Sequence, residues 1–542
     1  MNEELGKILE RRHAVLVEEK DEYIDGMKEK AKYFAPHLAP RLESEDPEKG
    51  KELTAELFDS TTLSAVSIAT NGTIGYTMNQ SAPWMHISTV DRHAMKDLEV
   101  KKWLQHATIH LYGCINNSNF YNVLPAYVEQ GWTVGPGILY REKNVEENRY
   151  VFSARGIGEC YTSLNAYMEN DTLNRVFKES LRNLKARFGV EVLPESYRSM
   201  AEGAETQYEM VQVLHSVYPS TDGKWASIGK KYVSVYQLLG EEGVLSEQGY
   251  DDFPYSIWNW HLNSEETYPR TPADIALPDA RGINEMAKSM LKAGQMMIEP
   301  PIDVPVEMKG KVHNYPRGVN YYSDASRIVK PHQGPSQIPY ADGIWEKKKG
   351  ELQDHFFVDF FKMLNQLTQR MTTVEVMERQ SEKVALIGVP IAKFLTDGPD
   401  GIIEGMFRQE MAEGRIPPPP TGLGGEALEI IHTGPLAMLQ ERLAKGQQVT
   451  RAFQELQPVF QQFPQSGAKI KFDELVAYLM EAYNFPAEAI KTDRELKAEQ
   501  AKAQEEAQRQ QSLEQTEVMG KALPGFAKAQ EMTGGEPTQP MV

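Results

Sequence analysis

Apolar residues recur at helical spacing through the first 130 residues. In residues 1–35 they fall every three or four positions: Leu5, Ile8, Leu9, Leu16, Tyr23, Ile24 and Met27. This period predicts a helix over residues 1–35. Further helices are predicted over 53–78, 92–113 and 118–130. The helix over 53–78 is rich in Ala, Ser and Thr, and such small side chains would let another helix or another subunit approach closely.

From residue 131 to about 262 the apolar period shortens towards two. Runs such as GPGILYREK, YVFSARG and KYVSVYQLLG are rich in Val, Tyr and other β-forming residues and predict strands. These strands predict an α+β module, a small and mostly antiparallel sheet or barrel. A helical insert over 171–188 is predicted to interrupt it.

After Pro278 the helical period returns over 279–298, stops in a proline-rich stretch, and returns again over 345–364. The first helix is amphipathic. Its apolar face contains Ile283, Met286, Ala287, Met290, Gly294 and Met297, and its polar face contains Arg281, Glu285, Lys288, Lys292 and Gln295. Two helices that bracket seven prolines in 299–345 predict an antiparallel pair with a small compact module at its tip.

The remaining pattern alternates between helices and breaks. The polar stretch 365–372 is followed by a long helix predicted from Thr373, which Pro390 should kink and DGPDG (397–401) should stop or break. The run PPPPTGLGG (417–425) predicts a linker. Short helices are predicted over 426–492, and the chain after about residue 495 is predicted to be solvated helix or disorder.

Composition narrows the class of protein. The 542 residues are 41% hydrophobic and 25% charged, ordinary values for a soluble globular protein, and the N-terminus has the character of neither a signal peptide nor a membrane span. Two cysteines, Cys114 and Cys160, exclude a disulfide framework and a thiolate metal cluster. A net charge of −19 argues against a protein that coats nucleic acid. It is compatible with a protein past which DNA slides.

Motifs for catalysis or cofactor binding are missing from the sequence. It contains no GxxxxGK[ST] loop and no GxSxG elbow. TGLGGEAL (421–428) is glycine-rich but lacks the spacing for a dinucleotide. His106 and His110 are four residues apart, as in two-histidine metal sites, but no third ligand is suggested nearby. We therefore expect no enzyme activity, no cofactor and no metal site.

Five segments, in order, resemble the portal (head-to-tail connector) proteins of short-tailed bacteriophages. They are LFDSTTLSAVSIATNGTIGYTMNQSAPWMHI (57–87), GWTVGPGILYRE (131–142), YPRTPADIALPDARGINEM (268–286), HTGPLAMLQERLAKG (432–446) and FPAEAIKTDRELKAEQ (485–500). The resemblance covers roughly residues 5–500. The third segment is the most telling, although Tyr268-Pro-Arg-Thr stands where the family often has Gly-Arg-Ser.

The resemblance implies a mostly helical α+β portal fold with wing, stem, clip and crown, assembled as a dodecameric ring. The implied boundaries are the wing at 1–270 with its β module at 131–262, stem helix 1 at 271–298, the clip at 299–344, stem helix 2 at 345–364, the tunnel loop at 365–372, the long kinked wing helix at 373–416, the linker at 417–425, the crown at 426–495 and a partly disordered tail at 496–542. The module in the clip should be a small α/β unit.

The same resemblance implies the function and the partners. The ring would stand at one capsid vertex of the virion after synthesis in the host cytoplasm. It would pass double-stranded DNA without sequence specificity, and would bind the terminase large subunit, tail adaptor or nozzle proteins, the major capsid protein and scaffold or internal core proteins, but no membrane. The alternative is another oligomeric capsid, tail or scaffold protein without a DNA channel.

Two sets of site residues follow as expectations. We expect the DNA channel to be lined by Arg281, Lys288, Lys292, Gln366, Gln369 and Arg370. Lys288 and Lys292 could instead face Glu351 or Asp354 of a neighbouring subunit, and the loop residues could simply be solvated. In the clip we expect the terminase and the adaptor to dock on Pro316, Arg317, Tyr321, Tyr322 and Arg327.

Overall fold

A computed structural model describes most of the first 434 residues. The described residues are 2–44, 50, 52–91, 93–144, 146–220, 229–241, 243–299, short pieces between 302 and 331, 338–366, 387–423 and 428–434. The chain divides into two compact units, Met1–Lys445 and Gly446–Val542, and every described residue belongs to the first. Among the described helices, none combines the length and the apolar composition needed to cross a bilayer.

The predicted N-terminal helices are present, but two of them start later than their apolar period suggests. They are α1 (Asn2–Phe34), the short α2 (Ala39–Glu43), α3 (Thr61–Thr77), α4 (Leu98–Asn116) and α5 (Phe120–Trp132). Helix α3 starts at Thr61, whose N–H donates to the Asp59 carboxylate at 2.7 Å. Helix α4 starts after Asp97, which accepts from Glu99 N–H at 2.9 Å. At both starts an Asp carboxylate accepts from a backbone N–H that has no partner within the helix, and in α4 this Asp is the N-cap residue.

The β module consists of two antiparallel sheets. Its strands are β2 (Gly137–Asn144), β3 (Arg149–Ala154), β4 (Cys160–Leu164), β5 (Asn170–Ser180), β6 (Met210–Pro219), β7 (Tyr232–Leu238), β8 (Val244–Tyr250) and β9 (Tyr255–Trp258). One sheet has the order β3-β2-β9 and the other β4-β5-β6-β7-β8. The predicted α+β class, with small antiparallel sheets, is confirmed.

The helical insert predicted over 171–188 is wrong in its first half. Residues 170–180 form β5, which pairs with β4 on one side and β6 on the other. Only Leu181–Phe188 is helical (α6), followed by α7 (Glu195–Glu202). The charged strand is held by hydrogen bonds to both neighbours and by burial of Leu173 and Val176, so tertiary pairing outweighs its weak strand propensity.

A two-stranded ribbon joins distant parts of the chain. Strand β1 (Met85–Thr89) pairs antiparallel with β12 (Leu428–His432), with Met85 opposite His432. The helices predicted over 426–492 are therefore wrong at 428–432, and their part beyond residue 434 lies outside the described residues. The predicted linker at 417–425 is also attached to the body, because the Pro417 carbonyl accepts from the Trp103 indole at 2.8 Å and Leu423 is buried.

The predicted pair of long helices is present with one extra break. Helix α8 covers Pro272–Ile298, close to the expected 271–298, and is followed by the two short strands β10 (Ile302–Asp303) and β11 (Lys330–Pro331). The single helix expected over 345–364 is instead α9 (Ile338–His355) and α10 (Val358–Gln366). The break falls at Phe357, whose positive φ of 53° is incompatible with a continuous α-helix.

The glycine-rich DGPDG sequence does not end its helix. Helix α11 (387–395) passes through a π-helical turn, Thr396–Asp400, into α12 (Gly401–Ala412). The Ser256 hydroxyl, hydrogen-bonded to the carbonyls of Asp397 and Gly398 at 3.1 and 2.8 Å, stabilises this turn. DGPDG was predicted to stop or break the helix: it does not stop it, but the π-helical turn interrupts the regular α-helix at this position, and the Ser256 hydroxyl donates to carbonyls of the turn. The predicted start at Thr373 lies outside the described residues.

An aromatic core anchors the helix pair to the body. Trp132, at the end of α5, is fully buried. Its ring centroid lies 4.3 Å from that of Trp260 and 6.1 Å from that of Phe356. Because Phe356 stands at the break between α9 and α10, the core fixes the base of the helix pair from which α8 and α9 extend.

Candidate functional site

Helix α8 is fixed at its start by a cap that also binds α1. The Thr271 N–H donates to the Asp274 carboxylate at 2.7 Å, and the Thr271 hydroxyl donates to the Thr133 carbonyl at 2.6 Å. The same carboxylate accepts from the buried Lys30 ammonium at 2.9 Å. A carboxylate in the first turn also complements the positive end of the helix dipole.

Helices α8 and α9 run antiparallel. Asp279, near the start of α8, is 2.9 Å from the Lys348 ammonium and 3.7 Å from His355 Nε2, near the end of α9. At the far end of the pair, Ile302 of β10 is opposite Pro331 of β11 in a short antiparallel bridge. The chain therefore leaves along α8, narrows to a two-stranded neck, and returns along α9.

The three basic residues predicted on α8 differ in their surroundings. Arg281 forms an ion pair with Glu29 of α1. The Lys288 ammonium lies 5.4 Å from the centre of the Phe58 ring, and its side chain is half-buried. Lys292 is exposed and makes no ion pair within the described part of the chain. Of the three, Lys292 has the surroundings best suited to contact with a passing polyanion.

The acids considered as partners for these lysines are on α9. Glu351 lies 2.7 Å from Lys348 within the same chain. Intrachain pairing therefore already occupies Glu351, and a contact with a neighbouring subunit stays a prediction.

The other predicted site residues are only partly described. Gln366 is the last residue of α10, whereas Gln369, Arg370, Pro316, Arg317 and Arg327 lie outside the described residues. Tyr321 and Tyr322 are 85% and 57% exposed. Two adjacent exposed tyrosines suit protein docking, because each presents a large apolar surface with a polar tip.

Sequence reasoning missed an irregular segment, residues 52–60, which we call the strap. It lies against α8 through Asn284, whose side-chain oxygen accepts from Phe58 N–H at 2.7 Å and whose amide donates to the Glu56 carbonyl at 3.0 Å. Asn284 is 7% exposed. The only signal in the sequence was an asparagine on an otherwise apolar helix face, since a buried amide needs hydrogen-bond partners.

Sequence reasoning also missed a buried charge cluster around Glu410 of α12. The fully buried Glu410 carboxylate accepts from Lys143 at 2.5 Å, Tyr150 at 2.9 Å and His110 at 2.8 Å. Burial alone would raise the pKa of Glu410, but hydrogen bonds from Lys143, His110 and Tyr150 outweigh it and lower the pKa to about 2. The cluster therefore ties α4, β2, β3 and α12 together.

The same cluster brings together three possible metal ligands. Donor atoms of His110, Cys114 and Glu410 lie within 4.8 Å of one another. However, Lys143 and Arg415 already balance Glu410, and burial raises the pKa of the Cys114 thiol to about 11. A cation would have to compete with two positive side chains for one carboxylate, so the arrangement favours a structural ion cluster. The other histidine of the pair, His106, is exposed on α4.

Comparisons with known proteins find similar bacteriophage proteins. A family model described as "Bacteriophage head to tail connecting protein" matches residues 7–490. The chain is 25% identical over 417 residues to the "Portal protein" of Salmonella phage epsilon15, covering 74% of each chain. It is 24% identical over 449 residues to the "Probable portal protein" of Bordetella phage BPP-1, covering 81% of this chain and 80% of that protein.

Proposed function

The chain belongs to the bacteriophage head to tail connecting proteins, and from this premise we propose that it is the portal subunit at one capsid vertex. Its role is structural, as a connector, and not enzymatic. The similarity to two phage proteins named as portals, over about three quarters of the chain or more, supports this function.

We propose that α8 and α9 form the stem of the portal. The observation that carries this proposal is the antiparallel pair with a two-stranded neck at its tip, formed by Ile302–Asp303 and Lys330–Pro331. Residues 299–344, which contain the two strands, would form the clip, and residues 1–270 together with residues 373–416 would form the wing. Residues 426–495 would contribute the crown.

A ring of such subunits would surround double-stranded DNA. Each subunit has a formal charge of −19, so the wall would repel phosphate on average. Screening limits this field to a distance of about 8 Å at physiological salt, which would keep the duplex centred and mobile. Lys292, with Lys288 about one turn and Arg281 about three turns before it on α8, would add sparse positive rings. Gln366, Gln369 and Arg370 would contact the DNA from the tunnel loop.

Protein partners would bind at the two ends of the ring. The clip, with its exposed Tyr321 and Tyr322 and with Pro316, Arg317 and Arg327, would dock the terminase large subunit during packaging and a tail adaptor afterwards. The wing and the crown would face the capsid protein and scaffold or internal core proteins. These assignments rest on the family and on the exposure of the tyrosine pair.

Negative-stain microscopy of the purified chain tests the proposal. Closed rings with a central hole about 20 Å or more across, wide enough for a duplex, are expected. The variant Asp279→Lys should form fewer rings, because it places a second positive charge opposite Lys348 in the helix pair. Monomers or open filaments from the unmodified protein would favour the alternative, a capsid or scaffold component without a channel.

A further inference from the structure

The strap, residues 52–60, connects three helices of the proposed stem and wing. Lys32 of α1 forms an ion pair with Glu56. Lys349 of α9 lies 3.3 Å from the Asp59 carboxylate. Asn284 of α8 holds the backbone between these two positions. The strap therefore touches both helices of the pair and the helix that supports them.

Asn284 is a neutral and buried anchor of the strap. Its amide makes both of its strap contacts to backbone atoms, those of Glu56 and Phe58, and so it fixes the path of the chain whatever side chains the strap has. One turn further along α8, Lys288 lies over the Phe58 ring. A cation held over an aromatic face is stabilised there, so the strap covers Lys288 as long as it stays in place.

Most residues of the strap are exposed. In the described segment 52–60 no residue is fully buried, and Leu53 and Phe58 are 39% and 40% exposed. A single backbone hydrogen bond, from Leu57 N–H to the Thr54 carbonyl at 2.9 Å, lies inside it. Segments with few buried contacts and few internal hydrogen bonds open at a lower free energy than the core.

We propose that the strap is a releasable clasp on the helix pair, with Asn284 as its positioning residue. When it is closed, it ties α8 and α9 to α1 and covers Lys288. When it opens, Lys288 becomes accessible on the channel helix, and the pair loses a tie to the body. The consequence for a DNA channel rests on the proposed function, but the clasp itself is a property of the single chain.

Hydrogen exchange tests the clasp directly. In Asn284→Leu, which keeps a similar volume but removes both hydrogen bonds, amides of residues 56–60 should exchange about tenfold faster, the effect of about one net hydrogen bond. Exchange in the core strand β6 should stay unchanged. The matched control is Asn71→Leu on α3, because the Asn71 amide bonds only to Ser67 at the surface, and its strap should exchange as in the unmodified protein.

The rate of lysine acylation provides a second test of the same variants. Lys288 should react several-fold faster in Asn284→Leu than in Asn71→Leu, while the exposed Lys292 should react equally in both and so serve as the internal reference. The clasp would be overturned if the strap amides exchanged at the same rate in Asn284→Leu as in the unmodified protein. It would also be overturned if the strap amides exchanged as slowly as those of the core strand β6. Neither result depends on ring formation, so the clasp and the portal function can fail separately.

Discussion

At the scale of single residues, buried charges are stabilised in two different ways. Glu410 is neutralised by two cations, Lys143 and Arg415, and also accepts a hydrogen bond from His110. Lys20 donates instead to the carbonyls of Ile157 and Cys160 at 2.6 and 3.0 Å, and forms no ion pair with an acid among the residues that the structure describes. This difference decides how each residue responds to substitution and to pH.

We predict that Glu410→Ala lowers the free energy of unfolding by about 3 kcal/mol, the cost of breaking a buried ion pair from one side. Tyr150 and His110 lose their acceptor, and Lys143 keeps only Glu413. Urea denaturation measures the change. Because the pKa of Glu410 is lowered to about 2, its contribution to the free energy of unfolding is present above about pH 4.5. This contribution is lost as the pH falls towards 2.

The matched control is Glu413→Ala, which removes a carboxylate that is one-third exposed and binds the same Lys143. Exposed pairs contribute about 1 kcal/mol or less. Equal losses of unfolding free energy in the two variants would mean that the burial of Glu410 does not strengthen its interactions.

We predict that Lys20 makes the free energy of unfolding rise with pH in the alkaline range. Burial lowers the pKa of Lys20 from 10.5 to about 8. Between these values the unfolded chain binds more protons than the folded one, so stability should increase with pH over this window, by about 3 kcal/mol at most. Urea unfolding of the unmodified protein and of Lys20→Met across pH 8 to 10.5 should show a steeper rise in the first, since the buried Lys30, whose pKa is also lowered, contributes to both. Lys28→Met, on a more exposed side of α1, should keep it.

At the scale of elements, the period of the apolar residues predicted which parts of the chain form long helices. Contacts of Asp side chains with backbone N–H groups mark where α3 and α4 begin. Helices α1 and α5 lie within about two residues of the bounds that their period predicts, whereas α8 begins at Pro272, before residue 279 where its apolar period starts and close to the start that the family resemblance implies. The errors share one cause. Strand β5, the π turn at Thr396–Asp400 and the break at Phe357 each depend on partners from other elements, and a local pattern contains no information about those partners.

Close helix contacts give a prediction at this scale. A Cβ on Gly131 of α5 would overlap the fully buried indole of Trp258. Gly131→Ala should therefore lower the melting temperature, at a cost of about 1–3 kcal/mol for an overfilled core. Gly113→Ala in α4 has open space around its Cβ and should stabilise the protein by up to about 1 kcal/mol through helix propensity. A neutral Gly131→Ala would show that Trp258 can move.

At the scale of the whole molecule, the two lysines of α8 separate into different roles. In the proposed ring, Lys292→Gln should change the length of DNA packaged or retained in phage heads, because the exposed ammonium is free to contact phosphate. Lys288→Gln should affect the DNA less, since Lys288 is engaged with Phe58. Gel electrophoresis of packaged DNA measures the effect. Defective rings with normal DNA length would instead assign these lysines to contacts between subunits.

The features of the candidate site also divide into those that the sequence could predict and those that it could not. The helix pair, its proline-rich connection and the basic residues of α8 could be predicted from the sequence, because amphipathic spacing and proline are local signals. The strap and the Glu410 cluster could not. Asn284 meets Phe58 across 226 residues, and Lys143 meets Glu410 across 267.

The sequence by itself determined the class of this protein: an acidic, mixed α+β connector with a helix pair, related to phage portal proteins by ordered motifs. Periodicity shows which face of an element is buried, and motifs show kinship. Only the tertiary structure decided which charges are buried, which lysine is covered and where helices break. Those outcomes depend on which residues meet across the fold, because the free energy of a buried polar group is set by its partner.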